Sequence, residues 1–172
     1  MLNITSIENA LYAWVHGISN ITTIFARPNA PRPTASYVLI NILQSTPKSI
    51  AEHQETLLID DSIDVDYSTV EELFVTINVY YDDAYQIATK LKDSLGRVTI
   101  QDELYAAGLG YNNTSEVREI SEEINKKFEQ RAQFDCFFFV RSIDEENIET
   151  IRKIEIENEL DGTTKVVTHP DD

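Results

Sequence analysis

The chain has 172 residues, enough for one domain with a proper core, and carries 30 acidic against 14 basic residues for a formal net charge of −16. That balance excludes a surface that grips phosphates by counterion release, although a polyanion can slide past a negative wall. A lone cysteine, Cys136, rules out an internal disulfide, and no basic leader or long uncharged apolar window points to a signal peptide or membrane span.

Thr5-Ser6-Ile7-Glu8 has capping-box spacing, and Ile7, Ala10, Leu11, Trp14 and Val15 then share one helical face up to a stop expected at Gly17. Trp14 continues this stripe and is read as core. From Ile21 to Gln44 the pattern is strand, stiff arm, strand: the flanks are apolar and β-branched, while Pro28, Pro31 and Pro33 exclude both helix and ladder from the middle. Arg27 and Arg32 lie on this arm in an otherwise acidic chain, so it reads as a docking arm that loses little entropy when gripped.

Tyr37 to Leu43 is the second predicted strand, closed by Ser45-Thr46-Pro47, and the mostly polar run from Ile50 to Ile59 is an edge strand. Asp60-Asp61-Ser62-Ile63-Asp64-Val65-Asp66 is acidic but lacks the turn glycine and final carboxylate of a calcium loop. Thr69 to Tyr81 alternates as a strand, with Val75, Ile77, Val79 and Tyr81 on its apolar side. Asp82 or Asp83 should cap a helix whose stripe is Ala84, Ile87, Ala88, Leu91 and Leu95, ending at Gly96. A short helix from Thr99 turns Ile100, Leu104 and Ala107 inward, and Gly110-Tyr111-Asn112-Asn113 is turn-prone.

Over residues 121–133 periodicity fits helix and strand alike; Phe134, Cys136, Phe138 and Val140 then alternate as a strand, and one long strand is expected from about Asn125 to Arg141. Arg131 and Asp135 face the same way on it and pair within one protomer. Cys136 there is a small buried hydrophobe. Ser142 to Asn147 reads as a charged turn, Thr150 to Glu159 as a strand through Ile154 and Ile156, and Asp161-Gly162 closes a hairpin with Lys165-Val166-Val167. The tail from about 168 to 172 should be mobile. The element order describes a single α+β domain spanning 1–172, with a mixed, largely antiparallel sheet and helices on one face.

Sites of chemistry are scarce. His16, His53 and His169 have no partner at metal-ligand spacing, Cys136 has no adjacent base, and five glycines make no phosphate loop. No catalytic, metal or cofactor residue is expected, and the chain is read as a non-enzyme. A ligand-binding or metal-binding α+β domain with a pocket between helix and sheet is the rival from another class.

The arm carries a resemblance. Phe25, then Asn29 inside a proline-rich turn, Pro31-Arg32-Pro33 and Tyr37 before an apolar strand resemble the neck terminator (tail terminator) proteins of long-tailed bacteriophages. The leading amphipathic helix and the late run Phe128-Glu129-Gln130-Arg131-Ala132-Gln133-Phe134-Asp135 are similar to that family too, and favour strand over helix there. The resemblance implies a tail-terminator-like fold and a structural virion protein, assembled in the host cytoplasm. It implies a homo-oligomer, a hexameric ring that caps the tail tube, stops its growth and joins it to the head-side connector or stopper, with genomic DNA passing through the lumen without tight binding. It further implies an inter-subunit arm of Arg27, Asn29, Pro31, Arg32, Pro33 and Tyr37. Charge complementarity, apart from the resemblance, offers carboxylates such as Asp60, Asp61, Asp64 and Asp66 on a second copy as partners for its arginines. Another head-tail joint, a stopper or tail-completion protein, is the nearer alternative.

Overall fold

Helix α1 (Ile4–Ser19) buries Ile7, Leu11, Trp14 and Val15, the expected stripe. Its ends differ from the sequence reading. Asn3, not Thr5, is the cap: its side-chain oxygen accepts the Ser6 N–H at 3.1 Å, which places Thr5 already inside the first turn. Gly17 remains helical, and the stop is Asn20, whose left-handed backbone (φ 56°) lets its N–H reach the His16 carbonyl at 2.9 Å.

This computed structural model describes residues 3–26, 32–57, 62–124, 127–149, 153–157 and 164–168. After α1 come β1 (Thr22–Phe25), β2 (Tyr37–Pro47), β3 (Glu52–Leu57) and β4 (Ser62–Tyr80), then α2 (Ala84–Ser94) and α3 (Val98–Ala106). The rest is strand: β5 (Gly110–Thr114), β6 (Arg118–Glu119), β7 (Glu122–Ile124), β8 (Lys127–Glu129), β9 (Arg131–Glu149), β10 (Lys153–Glu157) and β11 (Thr164–Thr168). This is the expected α+β fold with a mixed, mostly antiparallel sheet.

Two compact units partition the chain: Met1–Ala51 with Ser68–Ile143, and Glu52–Tyr67 with Asp144–Asp172. In the first, the sheet order is β1-β2-β4-β9-β5, and β6 also pairs with β9. β2 runs antiparallel to β4 in the register Tyr37↔Tyr80 through Ile42↔Val75, with a bulge at Leu43. β1 is the exception, parallel to β2 with Thr22↔Tyr37 and Phe25↔Ile40. A parallel pair cannot be closed by a tight turn, so β1 and β2 need a connection longer than a hairpin loop, and residues 26–36 supply it. The proline-rich arm is that connection.

The side chains of Val38, Ile40, Leu73, Val75, Ile77, Val79, Phe134, Cys136 and Phe138 all fall on one face and pack with α1, α2 and α3 into one core. Trp14 meets Phe138 edge-on at 6.3 Å, and Cys136 is fully buried. Among the described residues the helices cover this face only, as expected.

Several local expectations fail because long-range pairing overrides turn propensity. Gly110-Tyr111-Asn112-Asn113 is not a turn but β5, held in register with Phe139, Phe138 and Phe137. Ser142 to Asn147 continues β9 as strand. The long strand expected from Asn125 is broken at Gln130, whose carbonyl turns to accept the Tyr81 N–H at 2.9 Å, and Glu122–Ile124 folds back on Lys127–Glu129 as a small hairpin. Tyr81 has left β4 for a left-handed conformation (φ 69°), and Asp83 occupies the N-cap position of α2 without a side-chain cap bond.

In the second unit β3 pairs with β4, and β10 with β11 form the expected antiparallel hairpin, Ile154↔Val167 and Ile156↔Lys165. The expected turn at Asp161-Gly162 and the tail beyond Thr168 lie outside the described residues.

Candidate interaction surface

The alternation that sends Val75 and Phe134 to the helices sends the intervening side chains of β4 and β9 to the opposite face. That second face is polar and aromatic, and its groups pair across strands save Arg131 Nε, which is buried without a hydrogen-bond partner. Phe74 and Phe137 stack at 5.0 Å, nearly parallel. One rung further on, the Thr76 hydroxyl donates to Asp135 at 2.9 Å, and Arg118 pairs with the same carboxylate at 2.5 Å. Next, Arg131 donates through Nη2 to the Asn78 side-chain oxygen at 2.9 Å. The expected Arg131–Asp135 pair is therefore not made: each finds a partner on another strand, Asn78 on β4 and Arg118 on β6. Thr76 and Asn78 are buried, so these bonds satisfy groups that would otherwise be costly.

The last rung is an arginine–tyrosine cluster at the foot of the arm. Tyr37, the first residue of β2, stacks on Tyr80, the last of β4, at 4.6 Å and 9°. Arg32 lies over them, its guanidinium carbon 4.8 Å from the Tyr80 centroid, 5.3 Å from Tyr81 and 5.8 Å from Tyr37. Its Nε donates to the Tyr37 hydroxyl at 2.8 Å and its Nη2 to the Glu129 carboxylate, which also forms an ion pair with it. Arg131 contributes a second guanidinium, 5.0 Å from the Tyr80 ring. The left-handed backbone of Tyr81, tied by its N–H to Gln130, keeps the third ring in range.

The electrostatics follow from this packing. The hydrogen bond to Glu129 holds the Arg32 guanidinium above its ordinary pKa, and burial pushes the Tyr37 phenol up against the opposing pull of Arg32. Both effects keep Arg32 charged and Tyr37 a neutral donor and acceptor. The Arg32 side chain is 41 % exposed, so the ion pair itself contributes no more than about 1 kcal/mol; the cluster's value is the fixed geometry. Arg141, bonded to Ser68 at 2.6 Å, brings to four the arginines on this face or over it, out of five among the described residues.

Of the six arm residues singled out from sequence, Arg32, Pro33 and Tyr37 are described, and Arg32 and Tyr37 come together; Arg27, Asn29 and Pro31 lie outside the described residues. The same is true of Asp60 and Asp61, while Asp66 is exposed. Sequence reasoning missed Tyr80, Tyr81 and Glu129. The signal was thin: Tyr80-Tyr81 end the strongest strand pattern, but Glu129 reaches Arg32 across 97 positions of sequence.

Elsewhere, a groove of about 320 Å³ between α1 and α3 has Ala10, Ala13, Trp14, Leu104 and Ala107 in its lining, with Glu103 as its charged member. Among the described residues no group of three or more His, Cys, Asp or Glu side chains could hold a metal ion, and no helix is long and apolar enough to cross a membrane.

A sheet that buries one face under helices and displays paired arginine, tyrosine and carboxylate groups on the other defines the class, an α+β module with a polar and aromatic second face. Residues 5–163 match the sequence model of the phage neck terminator protein, and the chain belongs to that family. It is thus a structural protein of the phage neck and tail. No curated protein matches it.

Proposed function

We propose that the chain, acting as one terminator domain, caps the end of the phage tail tube as a homo-oligomeric ring, hexameric by resemblance to the family. The ring stops tail growth and joins the tube to the head-side connector or stopper. The arm bearing Arg27, Asn29, Pro31, Arg32, Pro33 and Tyr37 makes the contact between copies, a head-to-tail association that closes when the rotation allows. The observation that carries this reading is the foot of the arm: a proline-rich connection between parallel strands is anchored by Arg32 and Tyr37 onto the sheet, which supports a stiff element presented outward. A net charge of −16 is compatible with a lumen through which DNA slides without sticking.

Negative-stain microscopy of the purified protein mixed with tail tubes tests it. Rings seated on tube ends are expected, and Arg27→Glu should reduce them. Protein that ignores tubes but binds the connector would instead identify a stopper or completion protein, and monomers indifferent to both would remove the ring reading.

A further inference from the structure

Arg32 invites assignment as a contact to a second copy, yet its own chain already occupies it. Nε is bonded to Tyr37, Nη2 to Glu129, and three tyrosine rings lie within cation–π range of its guanidinium. The groups that hold it stand on regular elements: Tyr37 begins β2, Tyr80 ends β4 and Glu129 ends β8. Tyr80 is in turn fixed by the Tyr37 stack and by Arg131, and Tyr81 by its tie to Gln130. Tyr37 is where the arm joins β2, and the rest of the cradle is built without the arm. The arm is clamped into it.

We propose that Arg32 is a positioning residue acting in cis. Glu129, Tyr37 and Tyr80 clamp its guanidinium and so fix the direction in which the arm leaves the sheet, while contact with a second copy falls to other arm residues. A stiff arm reduces the entropy lost on docking only if its root is fixed as well, because a rigid rod on a loose pivot still samples a wide arc. Arginine suits this post and lysine does not: a planar fork can bridge a phenol and a carboxylate while lying beside a ring, whereas an ammonium is a single point. The inference rests on the reading above that copies associate through the arm.

Charge exchange separates clamp from anchor. R32E and E129R should each lower the yield of tube-capping rings by about tenfold, and the double variant R32E/E129R in one chain should recover part of it, because the swap restores the ion pair but not the Tyr37 bond or the ring contacts. An equimolar mixture of the two single variants should stay low, since every copy still carries its own clash. Recovery in the mixture would overturn the proposal, because alternating copies satisfy the pair only if Arg32 reaches a neighbour's Glu129; rings unchanged in R32E would overturn it too. If R32E fails to fold, R32K serves: an unchanged thermal midpoint with lost capping supports the clamp, and wild-type capping overturns it. Wild-type protein that never forms rings removes the ring reading and this inference together, which a ring-forming wild type with an indifferent R32E does not.

Discussion

Trp14 donates its indole N–H to the Ser94 hydroxyl at 2.9 Å, and Ser94 donates its own O–H to the Leu91 carbonyl at 2.6 Å. The pair joins α1 to α2 across 80 positions of sequence, and both side chains are buried. Ser94→Ala should therefore cost about 1–3 kcal/mol, because the indole N–H is left in the core with no acceptor. Urea denaturation gives the value. In Trp14→Phe the donor is gone, so adding Ser94→Ala should cost clearly less than it does in the wild type; equal losses in both backgrounds would mean the bond contributes nothing.

Asp135 accepts from buried Thr76 and from Arg118, but the two partners are unequal. Arg118 is 55 % exposed and Asp135 only 14 %, so solvent screens much of the ion pair, whereas the Thr76 hydroxyl that donates to the same carboxylate is on a buried residue. Asp135→Ala is expected to destabilise by about 1–3 kcal/mol and Arg118→Ala by less than about 1. Thermal midpoints of the two variants check the order, and a larger loss in Arg118→Ala would reverse this account of the second face.

Where a pattern is carried by one element, the sequence reading holds: the stripe of α1, the alternation of Val75, Ile77 and Val79, and the buried Cys136 need nothing beyond their own spacing. It fails where a distant strand decides. Gly110 to Asn113 has turn composition, yet β9 offers unpaired backbone beside it and β5 forms. The charged run after Arg141 likewise continues as strand. The arginine–tyrosine cluster is of the second kind, for Arg32, Tyr80 and Glu129 come from three separate stretches, and only the tertiary fold brings them together. The prolines announced the arm; nothing local announced what holds its foot.

Gly17 offers a test of how α1 ends. It lies inside the helix, and a β-carbon there would meet no atom within 4 Å. Since Asn20 provides the left-handed stop, Gly17→Ala should raise stability by about 0.4–1 kcal/mol, through helix propensity and a less flexible unfolded chain. Gly108 is the control. Its φ of +87° suits glycine, so Gly108→Ala should destabilise by about 1 kcal/mol or more. A loss of stability in Gly17→Ala would return the stop to Gly17.

Alkaline pH should weaken the fold in a defined order. Burial pushes the Cys136 thiol up from its ordinary 9.0, and burial likewise raises the Tyr37 and Tyr111 phenols from 10.0. Each group then holds its proton in the folded state at a pH where the unfolded chain has lost it, so the folded form binds more protons and stability falls as pH rises. The contribution is fully present below the unfolded values and is lost above them, first through Cys136 near pH 9 and then through the tyrosines near pH 10. The slope contributed by one such group approaches about 1.4 kcal/mol per pH unit. Denaturant midpoints should be nearly flat from about pH 7 to 8.5 and decline beyond, and Cys136→Ala, though less stable at neutral pH, should shift the onset by roughly one unit toward the tyrosine range. An onset that Cys136→Ala leaves in place would show that the thiol is not the first group to titrate.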